Sequence, residues 1–314
     1  MSAASLPRAS LPLPARGGKE MSDLGFAMTV IIAVYALNTL IIGVPLGYSF
    51  WLSLHDTNAI LRTQEFVGAD LYGEVLSDSA VTDAIWRSLG FVAMCVAGSF
   101  VAALGIALVL NEEMPLRGLV RGLALLPWAM SQVVTATVFS FLLNPSFGAL
   151  TGLLTPLGLA GPGTVWLSSD WALFWVALAF VWHVAPLGSF FYLAALQTIP
   201  RDLYRAARVD GAGPLARLRH ITLPHLKHTT LIVLVVMTVE AVRQFDLLFS
   251  LTRGGPGTST QILPLLIFRY NFEFSKYGLA SAAAFLLTVL SLLLATAYFM
   301  LIRKKRPQGV NHAQ

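Results

Sequence analysis

The sequence predicts an all-α protein that crosses a membrane several times, and two observations lead to this fold class. The chain has 314 residues, of which 56% are hydrophobic and only 12% are charged, with a mean hydropathy of +0.71. A soluble core cannot hide so much apolar surface, so the chain needs a bilayer as its solvent. In addition, six apolar stretches each reach about 20 residues, the length that a helix needs to cross ~30 Å of hydrocarbon.

The six stretches are predicted to be transmembrane helices, because lipid offers no partner for unpaired backbone groups. They run over Phe26–Leu54, Ser88–Leu110, Gly118–Leu143, Trp171–Leu196, Thr230–Leu251 and Tyr277–Ile302. We therefore expect a cytoplasmic N-terminal tail at residues 1–25, a six-helix membrane domain at 26–302 and a cytoplasmic C-terminal tail at 303–314. The first stretch is too long for the core of a signal peptide and should stay in the mature protein.

The orientation in the membrane is predicted from the basic residues. If the N-terminus lies inside, fifteen of the 21 Lys and Arg residues fall in inner segments and five in outer segments. Positive charge is retained on the cytoplasmic side of a membrane, which favours an N-in, C-in topology. The net charge of +5 is then a topology signal and gives no reason to expect a nucleic-acid partner.

A polar insert, residues 197–228, separates the fourth and fifth stretches. A short helix is predicted over Arg201–Val209, opened after Pro200 and ended by Gly211. A second short helix should begin near Leu215 and stop before Pro224. Together they would form a compact knob of two helices with a small residue at its elbow.

The insert carries two adjacent alanines, three residues, a glycine and an apolar run closing on Ile-x-Leu-Pro; the residues of this pattern are Ala206, Ala207, Gly211, Ile221, Leu223 and Pro224. The pattern resembles the coupling loop of binding-protein-dependent ABC importer permeases, which begins Glu-Ala-Ala. Arg205 stands where the family usually has Glu. The resemblance implies contact with a nucleotide-binding subunit through these residues and through Tyr204, Asp210, Ala212 and Leu218.

A second signature lies after the insert and is similar to sugar and glycerol-phosphate permeases of the same superfamily. It comprises Phe245, Asp246, Leu251, Thr252, Gly254, Gly255 and Pro256. The resemblance implies the type I ABC importer permease fold in a bacterial cytoplasmic (inner) membrane. It also implies a second homologous permease, two ATPase subunits that bind ATP and Mg, and an extracytoplasmic solute-binding protein. No cofactor is expected in this chain.

Polar groups inside the apolar stretches are costly in lipid and therefore point to function. In the fifth stretch, Glu240, Arg243, Gln244 and Asp246 are three or four residues apart, so one side of a helix could carry them all. They either line the path of the substrate or form a structural ion pair between helices. Further candidates for the path are Trp128, Gln132, Trp182 and His183, which could stack on a sugar or hydrogen-bond to it.

Two other classes of protein fit the sequence less well. An intramembrane enzyme is disfavoured because the H-E-x-x-H, G-x-S-x-G and Walker A patterns are absent, and because His220, His225 and His228 have no acidic partner at a metal-ligand spacing. ATP hydrolysis must then come from a partner subunit. A transporter driven by an ion gradient usually shows inverted repeats or pairs of broken helices, and the sequence reveals neither. Cys95 is the only cysteine, so the chain has no internal disulfide.

Overall fold

The structure is a computed structural model that describes residues 23–58, 63–161 and 163–303 and is mostly helical. Residues 1–22 and 304–314, which hold most of the two predicted tails, lie outside the described residues. The chain divides into two units, one that ends at Ser49 and one that begins at Phe50.

The first unit is a long apolar helix. Helix α1 (Asp23–Asn38) continues through a π-helical turn (Thr39–Gly43) into α2 (Val44–Leu52). Its side chains from position 26 to position 48 are all exposed within the unit. A helix that is apolar on every side and exposed is suited to lipid or to a partner helix, which agrees with the predicted first span.

The predicted outer connection contains a hairpin and a helix. Strand β1 (His55–Asn58) pairs antiparallel with β2 (Thr63–Phe66), and α3 (Asp70–Ser77) follows. The hairpin lies against the start of the last helix, α15 (Tyr277–Arg303). A Cβ at Gly278 would collide with the carbonyl of His55, so this close approach requires glycine.

A buried phenol joins this region to the segment before α15. Tyr270, in the π-helical turn Arg269–Glu273, donates a hydrogen bond of 2.5 Å to Asp78 Oδ2. Burial, the Asp78 carboxylate and the charge of Glu74 all raise the pKa of Tyr270, so the phenol keeps its proton and donates. This long-range contact ties the segment before α15 to the start of α4.

The core of the second unit forms where α4 (Ser79–Asn111) packs against α8 (Ala172–Leu196). A Cβ at Gly188 would lie 2.6 Å from Met237 Cε and 3.0 Å from Ala103 Cβ, so small residues let three helices approach. Helix α4 begins nine residues before the predicted Ser88, because the Asp78 side chain accepts a hydrogen bond from Ala80 N at 2.8 Å and caps the helix there.

The third predicted span is not one continuous helix. It consists of α5 (Arg117–Ala129) and α6 (Gln132–Leu142), which meet at an angle of 94°. The backbone is extended at Met130 and Ser131, and Ser131 Oγ accepts a hydrogen bond from Val134 N at 3.3 Å, which starts the new helix. The prediction of an uninterrupted span over Gly118–Leu143 is therefore wrong.

The insert and its surroundings are also helical. A short helix, α7 (Ala149–Leu154), lies in the connection before α8. The insert holds α9 (Arg201–Val209), α10 (Pro214–Arg217), a π-helical turn (Leu218–Thr222) and α11 (Leu223–His225). The second insert helix was predicted to stop before Pro224, and this is wrong: proline is tolerated in a first helical turn, where its missing N–H is not needed.

The fifth predicted span is also interrupted. Helix α12 (Lys227–Val242) is bent by 72° from the insert helices before it and ends at Val242. The chain continues as α13 (Asp246–Leu251), a loop and α14 (Leu263–Phe268). A single helix over Thr230–Leu251 is therefore a wrong prediction.

Four described helices are long and apolar enough to cross a membrane, and the number becomes six if each bent pair counts as one span. The four overlap the predicted first, second, fourth and sixth spans, although the second is longer than predicted, and α5 with α6 takes the place of the third. The structure thus supports a protein with several membrane spans.

Candidate functional site

The elbow of the insert is a turn that only glycine enters easily. Gly211 has a φ of +78°, and its N–H donates to Arg208 O at 3.1 Å. The N–H of Ala212 donates to Ala207 O at 2.8 Å, which completes a Schellman motif at the end of α9. The predicted elbow is therefore a defined structural feature, and among the residues that the structure describes nothing lies within 4 Å of where a Cβ would stand.

A side-chain hydrogen bond holds the two arms of the insert together. The hydroxyl of Tyr204 on α9 lies 2.9 Å from Thr222 Oγ1 at the end of the π-helical turn. Thr222 is buried and Tyr204 is half-buried. Sequence reasoning missed Thr222, which no motif marks. This contact ties α9 to the end of the π-helical turn that precedes α11.

The exposed surface of the insert combines apolar and charged side chains. Four large apolar residues stand exposed, with exposed fractions of 42, 88, 76 and 37%, namely Leu203, Val209, Leu215 and Leu223. Arg205 Nη1 lies 3.1 Å from Asp202 Oδ1, and both side chains are exposed. Of the other predicted insert residues, Ala206, Asp210 and Pro224 are exposed, whereas Ala207, Ala212, Leu218 and Ile221 are half-buried.

A large polar cavity borders the insert on its other side. It has a volume of about 590 Å³, and its lining includes Arg117, Arg121, Arg201, Glu112, Glu113 and Tyr204. The Arg201 guanidinium lies 3.2 Å from Glu113 Oε1, and both groups are exposed, so solvent weakens this ion pair. None of the predicted path residues lines this cavity.

Part of the predicted substrate path lies where two interrupted spans meet, α5 with α6 and α12 with α13. Gln132 begins α6, and Gln244 occupies the gap between α12 and α13. Gln244 Nε2 donates to Gln132 Oε1 at 2.9 Å, although the residues are 112 positions apart. Gln244 is only 2% exposed. The structure thus brings together two amides that the sequence marked separately.

His183, on α8, contacts α6, the helix that begins with Gln132. Its Nδ1 is 3.2 Å from Thr135 Oγ1, and the carbonyl of Pro127 lies near its ring. That carbonyl is available because the helix breaks soon after it, at Met130 and Ser131. Sequence reasoning missed Thr135. Thr135 lies three residues after Gln132, on the same face of α6. This spacing indicates a shared site only once the break in the helix is known.

The two predicted tryptophans differ in their surroundings. Trp182 packs edge-on against Phe139, with ring centroids 5.8 Å apart, and is 37% exposed. Trp128 is 45% exposed, near the end of α5. Trp128 lies four residues before Gln132 in sequence, and Trp182 precedes His183 on α8. Aromatic side chains with exposed area can stack on sugar rings.

The sequence predicted that the polar residues of the fifth stretch share one side of a helix. The structure shows that they do not. Helix α12 ends at Val242, so the chain changes direction between Glu240 and Asp246. Arg243 Nη2 still bonds to Glu240 Oε1 at 2.9 Å, but the Arg243 and Glu240 side chains are 65% and 37% exposed. Asp246 is exposed, and Gln244 is turned into the core.

The histidines of the insert do not form a metal site. Within the described ranges, no group of three or more His, Cys, Asp or Glu side chains is arranged to hold a metal ion. His220 Nδ1 and His225 Nδ1 instead lie 2.9 Å and 2.8 Å from the carbonyls of Ala216 and Ile221, one turn earlier in each case.

These features define a class of protein: a helical membrane protein with interrupted helices around a polar interior site and a folded polar insert between two spans. The chain belongs to the family of binding-protein-dependent transport system inner membrane components, whose model matches residues 96–307. It is therefore a multi-pass permease subunit of an ABC importer in the inner membrane, and such a subunit is not itself an enzyme.

Curated relatives match almost the whole chain. The trehalose/maltose transport system permease protein MalF of Thermococcus litoralis is 34% identical over 286 residues, which are 91% of this chain and 95% of the relative. The sulfoquinovosyl glycerol transport system permease protein SmoG of Agrobacterium fabrum is 31% identical over 290 residues, which are 91% and 93% of the two chains.

A solved structure shows the same fold. A chain of a bacterial ABC transporter involved in the import of the acidic polysaccharide alginate superposes with a TM-score of 0.75 at 23% identity, covering 90% of this chain and 96% of that one. This likeness supports the type I importer permease fold that the resemblance implied.

Proposed function

We propose that this permease imports a sugar or a related polyol, and that the glutamine pair and its neighbours line the substrate path. The Gln244–Gln132 hydrogen bond at the junction of two interrupted helices carries this proposal. A charged and amide-rich surface cannot face lipid, and amides can donate to and accept from sugar hydroxyls. Relatives with names that specify trehalose, maltose and sulfoquinovosyl glycerol support a carbohydrate substrate.

The path would be completed by a second, homologous permease. The candidate residues Trp128, Gln132, Trp182, Glu240, Arg243 and Asp246 are at least partly exposed, whereas His183 and Gln244 are buried behind them. A surface of this kind is one wall of a path, and the facing wall must come from another subunit. Alternating access of the two permeases would then move the substrate across the membrane.

The insert is proposed to couple the permease to ATP hydrolysis. Its exposed apolar residues and the glycine turn at its elbow suit insertion into a groove of an ATPase subunit. We infer that two such subunits bind ATP and Mg, and that a solute-binding protein delivers the substrate on the opposite side. The chain itself would need no cofactor.

The proposal is tested by ATP-driven uptake in proteoliposomes. The complete complex should accumulate a neutral disaccharide only with ATP inside and loaded binding protein outside. Uptake that instead follows an imposed proton or sodium gradient, without ATP, would show a secondary transporter. Failure to move any carbohydrate or polyol in the presence of ATP and binding protein would reject the substrate class.

We also propose that the chain has six spans with both termini inside the cell. The proposed division is into a tail, a membrane domain and a second tail, at residues 1–25, 26–302 and 303–314. We expect a single cysteine at Glu65, exposed on β2, to react with an impermeant thiol reagent added to whole cells. A cysteine at His228, exposed at the end of the insert, should react only after permeabilisation. Both variants would carry Cys95→Ala, which removes the native thiol. Labelling of position 228 from outside would contradict the topology.

A further inference from the structure

We propose that the polar cavity beside the insert binds a phosphate group, and that Arg117 and Arg121 hold it. The inference is independent of the transported substrate, because none of the predicted path residues lines this cavity. The phosphate would belong either to a soluble phosphorylated compound or to the headgroup of a phospholipid. Both sources present the same chemistry, an anion rich in acceptor oxygens.

The ends of two helices place these arginines on the cavity wall. Arg117 begins α5 and Arg121 follows one turn later, so the two side chains lie on the same face of the helix. Arg117 Nη2 donates to Asn111 O at 3.0 Å, and Arg121 Nη2 donates to Leu110 O at 3.4 Å. The last carbonyls of a helix have no partner within it, so the end of α4 orients both guanidinium groups.

The chain does not compensate the charge of these two guanidinium groups. In the part of the sequence that the structure describes, neither group lies within ion-pair distance of a carboxylate. Both side chains are half-buried, and the buried Nε atom of each makes no hydrogen bond to a described residue. A guanidinium group has five N–H donors, and one carbonyl contact leaves most of them unused. Because a cation taken out of water without a counter-ion is costly, a bound anion would stabilise this arrangement.

The other charged side chains leave the cavity positive. Three arginines and two glutamates line it, which gives a combined charge of plus one. The third arginine, Arg201, lies 3.2 Å from Glu113 Oε1, so this glutamate is engaged with another cation. Glu112 is exposed, and solvent screens its charge. The two arginines of α5 are therefore the cations that remain for an anionic ligand.

Phosphate suits this lining better than a carboxylate does. A phosphate monoester carries a charge of about −1.5 to −2 and three acceptor oxygens, so it can accept from two guanidinium groups at once. Asn111 and Gln197 add neutral amides to the wall, and amides suit hydroxyl groups on the rest of a ligand. The volume of about 590 Å³ lies within the range of small-molecule sites, roughly 300–1,000 Å³.

The position of the cavity gives both kinds of phosphate access to it. This step rests on the proposed topology, which places the end of α4 and the insert on the cytoplasmic side. Basic cavities between helix ends at that side of a membrane bind anionic lipid headgroups. Because Arg201 and Tyr204 of α9 line the same cavity, a bound phosphate would lie between the insert and the first half of the interrupted third span.

The soluble source is tested by equilibrium dialysis of labelled glucose 6-phosphate against the purified complete complex in detergent. ADP and Mg²⁺ saturate the ATPase subunits beforehand, so that their own phosphate sites are filled. We expect Arg117→Gln and Arg121→Gln each to weaken binding about tenfold or more, and glucose without the phosphate to show no difference between these proteins. Glutamine keeps an N–H donor for the α4 carbonyl, so the contact between the helix ends is retained.

The lipid source is tested by native mass spectrometry of the complex released from nanodiscs that contain phosphatidylglycerol and phosphatidylcholine. A lipid site predicts at least one phospholipid that stays on the wild type and is lost from both arginine variants. Glu112→Gln should strengthen binding of the ligand roughly threefold, because it removes an exposed carboxylate from the cavity wall.

Arg217→Gln is the matched control. Arg217 is also half-buried, with a buried Nε atom that has no partner among the described residues, but it does not line the cavity. The variant should therefore equal the wild type in both measurements. An equal loss in Arg217→Gln would show a non-specific effect of charge and would overturn the inference.

Retention of either ligand by the wild type, with loss in both arginine variants of α5, would support the inference and identify the source. Binding of neither ligand would overturn it, and so would binding that Arg117→Gln and Arg121→Gln leave unchanged. Lower thermal stability of these variants with unchanged binding would assign the arginines to the fold alone. ATP-driven uptake by the wild type tests the proposed function separately, because neither binding measurement depends on transport or on sidedness.

Discussion

Gly211→Val is expected to uncouple ATP hydrolysis from transport while the permease still inserts into the membrane. Gly211 adopts a φ of +78°, a region that costs an L-residue about 1–2 kcal/mol and that disfavours β-branched side chains most strongly. Valine would therefore distort the Schellman turn and move the end of α9. We expect uptake to fall by roughly tenfold or more, which corresponds to ~1.4 kcal/mol, with little change in the amount of permease in the membrane.

A matched substitution separates the two physical roles of this glycine. Asparagine tolerates the left-handed region better than valine does, so Gly211→Asn should preserve the turn while adding a side chain. If backbone conformation is decisive, Gly211→Asn keeps most of the transport activity. If close approach to the ATPase is decisive, both variants lose transport, since no described residue of this chain lies within 4 Å of the new Cβ. Normal coupling in both variants would contradict the role of the insert.

Arg205→Glu is expected to weaken the association with the ATPase, even though it restores the residue that the family usually carries. An arginine at this place indicates that the facing groove offers a carboxylate or a neutral acceptor, and a glutamate would then meet like charge or an unsuitable partner. It would also stand beside Asp202, which now lies 3.1 Å from the Arg205 guanidinium. We expect recovery of the ATPase on affinity purification through the permease to fall by about tenfold.

Arg208→Glu controls for the change in net charge. Arg208 is exposed in the last turn of the same helix, and the substitution changes the charge by the same amount. An equal loss in both variants would indicate a general electrostatic effect of the insert, whereas a larger loss for Arg205→Glu supports a specific contact. Unchanged or increased recovery of the ATPase with Arg205→Glu would refute the proposed complementarity.

The elements predicted best were those with local signals. Helix α8 begins within one residue of the predicted Trp171 and ends at the predicted Leu196, because apolar composition over 25 residues suffices to define it. Helix α9 agrees with the predicted Arg201–Val209, since Pro200 precedes it and Gly211 follows it in a turn with positive φ. In both cases a helix boundary depends on residues a few positions away.

The interrupted helices were not predicted, because a mean hydropathy over about 20 residues does not detect a break of a few residues. Pro127 lies inside α5 and gives no clear signal, because proline in a membrane helix often causes only a kink. The bend of 94° between α5 and α6 becomes favourable because α6 can pack against α13 and α8. Those contacts join helices that are at least thirty residues apart in the chain and leave no local pattern.

By itself, the sequence determined that the chain is a membrane permease with a structured insert, since apolar length, basic-residue asymmetry and the spacing around Gly211 are all local properties. Only the tertiary structure decided which polar groups meet. Gln132 and Gln244 come into contact because two helices break at the same place, and Arg243 pairs with Glu240 while Asp246 points elsewhere because α12 ends at Val242. Side-chain contacts of this kind depend on where distant backbones bend, and a linear pattern does not carry that information.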